Sequence, residues 1–583
     1  MTRRPTWLSA AAIGGAIALM SMSAAPVFAQ DGPGEMPAGG WTVYPNYSEV
    51  DCENQEFNGH PYTGSLKQIE AIDDSTVVFR FCQSDPTFIP KVAFSAYGIN
   101  DAEYLAANSE NRNILTQPNG TGPYMLDEWR EGQEIILAAF PDYWGDAPLA
   151  ETAVLRWSSE PGQKLLELQS GTVDAIDNPS PDDIGLIESD SNLQLVPREA
   201  LNVFYIGMNN TIPPFDNPKV RQAFAMGFDR DRILNTFYPP GSNRADWFTP
   251  CSIDFGCEGE AWYEYDPEGA KALLDEALIE DGFVDDDGNP VFPQEAAQIH
   301  LRIVDRTYLP FPEQVGLDIQ DQLKNTFGIL ASVIVSDSAV FIPAANAGNL
   351  PGFHLLGWNG DYPDATNFLD YHFGAGAQPQ FGEGWPDIWE VLAEGATASN
   401  PDVRQAAYEA ANNGLREHIP MIPVAQGGSA TAWAADVEGA HSSPLSNEQF
   451  KVADGGADGV MVFMQNDQPI SLHCMDESDG ESLRACDQIT EMLYTFGIDT
   501  TPKPSLATEC VANEDQTEWT CSLREGVKFH DGSDFTASDV VTSYAAMWDA
   551  ENPLHVGNSG QYSYWSGLWT SFLNPPEGSG DGH

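Results

Sequence analysis

The stretch 355–373, LLGWNGDYPDATNFLDYHF, carries the residue types best suited to gripping a charged ligand. Asp361 and Asp364 stand among Trp358, Tyr362, Phe368, Tyr371 and Phe373. A carboxylate beside apolar rings is a charged anchor, and Trp358, Asn359, Asp361 and Tyr362 are the candidate ligand-binding residues. Gly357, Gly360 and Pro363 break any regular period, so the stretch reads as a loop between elements and not as a core strand. Composition alone favours a plainer reading, a solvated turn with aromatics tucked beneath it. Motifs for covalent chemistry do not accompany it: G-x-S-x-G, H-E-x-x-H, a Walker loop and G-x-G-x-x-G are absent. GTGPY at 120–124 lacks the Gly-Lys-Ser/Thr ending of a phosphate loop, and Asp285, Asp286 and Asp287 lack the EF-hand spacing. His530-Asp531 lies on a turn without a nucleophile, His354 and His372 have no ligand spacing, and no C-x-x-C occurs, so neither metal nor cofactor is expected. Acidic pairs abound, and residue types alone leave a secreted glycoside hydrolase open.

The elements that must position these residues belong to a chain of 583 residues, longer than one core supports, so two or more lobes are expected. With 26 basic against 87 acidic residues the net charge is −61, which makes nucleic acid and anionic membrane surfaces poor partners; no nucleic-acid partner is expected. The acids are spread along the chain; they suit either a high-salt habitat or an ordinary acidic exported protein. Residues 1–29 read as an export signal: Arg3 and Arg4, an apolar run from Trp7 to about Met22, then small residues to Ala29. No Cys stands directly after Ala29, so an exported protein without a lipid anchor or membrane insertion is expected, outside the cytoplasm. Eight cysteines suit disulfides there. Spacing pairs Cys251 with Cys257 around a small loop and Cys510 with Cys521 across a hairpin. Cys474 with Cys486 and Cys52 with Cys82 complete the set.

Residues 30–59 read as a flexible segment rich in Gly, Pro and acid. Lys67–Phe81 and the segment after Pro118 read as hairpins. Strands at 173–176, 202–208, 299–304 and 421–424 alternate with helices at 162–169, 218–237, 313–327 and 401–418, which argues α/β architecture. Thr536 and Asp539 make a capping-box helix start, with Val540, Val541, Tyr544 and Met547 on its buried face.

W-N-G-D-Y-P-D-x-x-N-F-L at 358–369 resembles the ligand loop of the family 5 extracellular solute-binding proteins, the dipeptide and oligopeptide receptors of ABC importers. GTGPY, NNTIPPFDNPKVRQAFAMGFDRDRIL from Asn209 and WTCSLREGVKFHDGSDFTASDVVTSYAAMWD from Trp519 resemble further segments of the same family. The resemblance implies a type II periplasmic-binding-protein fold, two α/β lobes closing on ligand plus a smaller third domain. It also implies a monomer that takes a peptide ligand to a membrane-embedded ABC permease, with Asp361 pairing the peptide's α-ammonium. Tyr564 and Trp565 are further candidates, as ligand-facing aromatics. Family members for oligosaccharides or nickel chelates are the alternatives of the same fold. The order of segments departs from the family's: GVMVFMQNDQPISL from Gly459 and SLRACDQITEMLYTF from Ser482 look like its opening strand and helix, placed here near the end. A circular permutation follows, with the old ends joined through about 442–458. The expected small domain is 60–118 with 497–575, the large lobe 119–236 with 430–496, the second lobe 237–429, and the tail 576–583.

Overall fold

The computed structural model describes residues 36–575, apart from 240, 303–307, 337, 376, 457–458 and 570. The expected export signal and the 576–583 tail lie outside the described residues. Three sheets, each with helices and a core of its own, organise the chain.

In the seven-stranded sheet, Val460–Gln465 runs parallel to Thr152–Trp157 on one side and to Ala175–Asp177 on the other. A largely apolar strand, VMVFMQ, suits this position because parallel sheets are covered on both faces. Its helix, Gly480–Ile489, buries Ala485 and Ile489 against the sheet and is capped by Asp479, which accepts from Ser482 N at 2.8 Å. GTGPY threads past that helix: a Cβ on Gly120 would stand 2.0 Å from the Ile489 carbonyl oxygen, so glycine here allows close backbone approach and has nothing to do with phosphate.

The six-stranded sheet corrects the reading of 355–373 as a loop. Phe353–Asn359 is a central strand, antiparallel to Asn202–Met208 and parallel to Gln298–Arg302. Gly357 misled the periodicity: a Cβ there would meet the Tyr308 ring at 2.2 Å, so the glycine admits a ring and makes no turn. Only Gly360–Asp364 is loop, and Ala365–Phe373 is a helix whose N-cap, Asp364, accepts from Thr366 N. The expected large-lobe boundary at 236 is also too late. Asn202–Met208 and the helices Pro218–Gly227 and Arg230–Phe237 belong to the six-stranded body, and the single helix expected over 218–237 breaks where Asp229 caps the second one.

The chain crosses between these sheets twice, after Arg198 and after Gln426, and the crossings lie side by side. Leu193–Arg198 pairs with Ser429–Ala434 in one sheet, and Asn202–Met208 pairs with Met421–Gln426 in the other. The Asn202 amide clamps them, donating to the Gly427 carbonyl and accepting from Gly427 N, both at 2.8 Å.

The five-stranded sheet joins the hairpin Leu66–Asp73/Thr76–Phe81 to the hairpin Ala507–Ala512/Glu518–Leu523 through the Thr76–Phe81 and Glu518–Leu523 strands. The capping box on Thr536 and Asp539 opens the helix Ala537–Trp548 packed beneath it. The described part of the expected flexible segment is not a tether: Trp41, Tyr44, Val50 and Phe57 are buried in this core, and Val43–Tyr44 pairs with Ile69–Glu70. Their aromatic area stabilises the body in spite of the surrounding glycines. Leu493, Tyr494 and Phe496 join the same core, ahead of the expected start at 497.

Four disulfides, Cys52–Cys82, Cys251–Cys257, Cys474–Cys486 and Cys510–Cys521, use every cysteine, and Cys510 faces Cys521 directly in strand register. The 442–458 stretch, expected as a mere join, holds the fully buried Glu448 and Phe450. Glu448 accepts from Arg198 (2.6 Å) and Arg484 (2.9 Å), and Asp177 accepts from the same two arginines at 2.8 and 3.0 Å, closing a buried ring of alternating charge.

Candidate functional site

A cavity of about 530 Å³ opens where the three bodies meet, beside the paired crossings. The six-stranded body supplies Trp358, Asn359, Asp361 and Arg302, the seven-stranded body Arg484 and Asp487, and the five-stranded body Phe94 and Tyr564. Such a volume is typical of a small-molecule site.

Asp361 stands at the end of the short loop and is half-buried. Gly360 N ties the loop back to the Leu201 carbonyl at the crossing, at 2.7 Å. The organiser is Asn367 on the following helix. Its side-chain oxygen accepts from the Asp361 backbone N–H (2.8 Å) and from the Trp358 indole (3.2 Å), while its amide donates to Asp361 Oδ2 (3.0 Å). The Tyr564 hydroxyl donates to Asp361 Oδ1 at 3.1 Å; burial and the adjoining carboxylate push its pKa up, which keeps it a donor. Burial pushes Asp361 itself up to about 6, against the opposing pull of the Asn367 and Tyr564 bonds. Three residues on, Asp364 receives two hydrogen bonds from Arg404. Asp361 has no basic partner among the described residues.

Trp358 stacks on Tyr371, with ring centroids 4.2 Å apart, and lines the cavity with Asn359 beside it. Two expected residues do not reach the cavity. Tyr362 is 4% exposed in the core of the five-stranded body and its hydroxyl bonds Thr366; Trp565 is 1% exposed, stacked on Trp569 and donating to the Ser571 carbonyl. Each is the chain neighbour of a cavity-lining residue, and its own side chain enters the apolar core of the five-stranded body instead. Sequence reading missed Asn367, Arg302, Tyr308 and Asp487. Asn367 stood in the quoted W-N-G-D-Y-P-D-x-x-N-F-L pattern, but an asparagine inside a helix gives no sign that its amide reaches back six residues. Arg302 contacts the Tyr308 hydroxyl and lies over its ring, 5.6 Å from the centroid.

His300 and His354 face each other across paired strands, and burial pushes His354 down to about 3, so its ring is neutral; no cluster of three or more His, Cys, Asp or Glu that could hold a metal occurs among the described residues.

Two α/β bodies joined by a paired crossing, with a third body completing the cavity, define a ligand-binding protein. The chain belongs to the bacterial extracellular solute-binding proteins, family 5: residues 38–380 and 501–567 match the family described as "Bacterial extracellular solute-binding proteins, family 5 Middle". It is 28% identical over 404 residues to heme-binding protein A of Haemophilus influenzae, covering 68% of this chain and 71% of that protein. It is 26% identical over 408 residues to di/tripeptide-binding protein 2 of Pseudomonas aeruginosa, covering 67% and 74%. The solved structure of HbpA2 from Haemophilus parasuis superposes with a TM-score of 0.58 at 26% identity, covering 67% of this chain and 76% of that one. No helix among the described residues is long and apolar enough to cross a membrane.

Proposed function

We propose that this protein is an exported receptor that captures short peptides with a free amino terminus and hands them to a membrane-embedded ABC import permease. The observation that carries the reading is Asp361, a cavity carboxylate with two neutral donors and no basic partner among the described residues. A ligand ammonium supplies the missing charge where desolvation makes a charge-assisted bond strong. Arg302, in the same cavity, suits the ligand's carboxylate. Ligand contacts made to more than one body stabilise the closed arrangement, and the permease reads that arrangement. Heme, the ligand named for the Haemophilus influenzae relative, bears anionic propionates and suits these carboxylates less well. The protein acts as a monomer, periplasmic or extracellular, and binds its ligand without transforming it. Calorimetric titration with trialanine and its N-acetyl derivative tests the reading. The free peptide is expected to bind about a hundredfold or more tighter; equal affinities would overturn the ammonium role.

We also propose that the chain is a circular permutation of the family's order. Support comes from the sheet shared by hairpins far apart in sequence, and from the proximity of the first and last described segments: Ser65 N donates to the Trp569 carbonyl at 3.1 Å, and the Asn58 amide reaches the Pro575 carbonyl. A rearranged chain that starts at Gly459, joins 575 to 36 by a flexible linker and ends near 456 is expected to fold cooperatively and bind as before. A failure to fold would favour a truncated tandem.

A further inference from the structure

Resting on the peptide reading of the cavity, we propose that Asp487 recognises a cationic side chain, so that the favoured ligands are short peptides carrying lysine or arginine. Asp487 stands on the Gly480–Ile489 helix, on the seven-stranded body, whereas Asp361 belongs to the six-stranded body. It lines the main cavity and also a small adjoining cleft of about 90 Å³, with Asn447 shared between the two. Both its carboxylate oxygens are withdrawn from solvent, and neither makes a hydrogen bond among the described residues. The Ser95 hydroxyl stands near enough to favour the ionised form without forming a bond of good geometry.

The charges around it are already spent. Arg484, one turn back on the same helix, bonds Asp177 and Glu448; Glu448, from the 442–458 segment, bonds Arg484 and Arg198. In the adjoining cleft Lys451 lies over the Tyr143 ring, and Glu491 accepts from Thr121, Tyr143 and Trp144. Arg484 favours its ionised form and Glu448 opposes it, and as a bonded pair their fields largely cancel. Burial therefore dominates and pushes the Asp487 carboxyl up to about 7. A carboxyl kept buried and unpartnered is costly to the fold, and in a cavity that cost marks a group waiting for a ligand.

A peptide's amino terminus neutralises only Asp361, which leaves Asp487 without a cation; Glu199, the other carboxylate lining the cavity, is exposed to solvent. A second ammonium or guanidinium must come from a side chain, and the scale permits it. Taken as a sphere, the cavity is roughly 10 Å across, and a lysine stem reaches about 6 Å, or two residues of extended chain. Lysine or arginine at one ligand position therefore spans from the Asp361 side toward the Asp487 side. An aliphatic side chain of equal length leaves Asp487 buried and unpaired.

The test titrates the purified protein with alanyl-lysine, lysyl-alanine and the matching norleucine and acetyl-lysine dipeptides, at pH 7 in two buffers of different ionisation enthalpy. The wild type is expected to bind the better lysine isomer about tenfold or more tighter than its norleucine counterpart, with acetyl-lysine grouping with norleucine. It is also expected to release more protons with lysine than with norleucine, because the salt bridge ionises Asp487. In Asp487→Asn both differences should vanish while norleucine binding stays within about threefold of the wild type, a pattern that simple damage to the helix would not give. Equal affinities for lysine and norleucine in the wild type would overturn the role of Asp487 and leave the peptide reading standing. Binding of no dipeptide at all would overturn both.

Discussion

Asp361→Asn is expected to weaken binding of free-amine peptides with neutral side chains by about 3 kcal/mol or more, roughly a hundredfold, while making the empty protein more stable. The two effects share one cause. Burial raises the Asp361 carboxyl to about 6, so above that pH the folded protein carries a charge it would hold more cheaply when unfolded. An acid with a raised folded pKa destabilises most at neutral and alkaline pH, and the penalty is relieved as pH falls through the folded value toward the unfolded one. Asparagine removes it at every pH, a gain of about 1–2 kcal/mol once partial exposure is allowed for. Ligand affinity in the wild type should be flat above about pH 6 and fall toward tenfold per pH unit below it, since only the carboxylate pairs with an ammonium. In the variant this dependence should be gone. Thermal melts of the empty protein and titrations from pH 5 to 8 check both limbs. A variant that loses affinity but also melts lower would point to loop damage and not to charge.

Glu448→Gln should cost about 3–5 kcal/mol of stability at pH 7, the usual loss when one member of a buried ionic cluster is removed. The change leaves Arg198 and Arg484, both almost fully buried, with Asp177 as their one shared carboxylate within the ring. Burial alone would raise the Glu448 pKa; the two arginines more than offset it and hold the group below its ordinary value. Its contribution is therefore complete above the ordinary carboxylate range and is lost as pH falls through the lowered folded value. The variant should unfold at lower urea at pH 7 and lose part of the wild type's acid-side dependence. Unchanged urea midpoints would show that the ring is not structural.

Much of the architecture was legible because it is local. Hairpins announce themselves by alternation around Asp73-Asp74 and Asn513-Glu514-Asp515, the capping box by Thr536 and Asp539, and the disulfides by short separations. The family's ligand loop led to Asp361, and Tyr564 stood among the candidate ligand-facing aromatics. What was missed depends on contacts distant in sequence. Gly357 looks like a breaker until Tyr308 is seen to occupy the space of its missing side chain. Glu448, in a Ser- and Gly-rich stretch, looks solvated until Arg198 and Arg484 arrive from 250 residues before it and 36 after. Asp487 looks like the polar face of a helix until the cavity opens beside it. The early boundary at the crossing was hidden for a similar reason, since an apolar strand such as Asn202–Met208 fits either sheet equally well.

The pairing of the cysteines has a consequence for how such a chain could be made. Each bridge joins one cysteine to the next in sequence, first to second through seventh to eighth. The five-stranded sheet, by contrast, unites residues near both ends. For a polypeptide entering an oxidising compartment amino end first, every covalent link can close behind the advancing chain, in order of arrival, the last of them within the sheet's own final hairpin. Correct connectivity is then the kinetically nearest one, and the long-range sheet can assemble last on segments already stapled, without reshuffling of bonds.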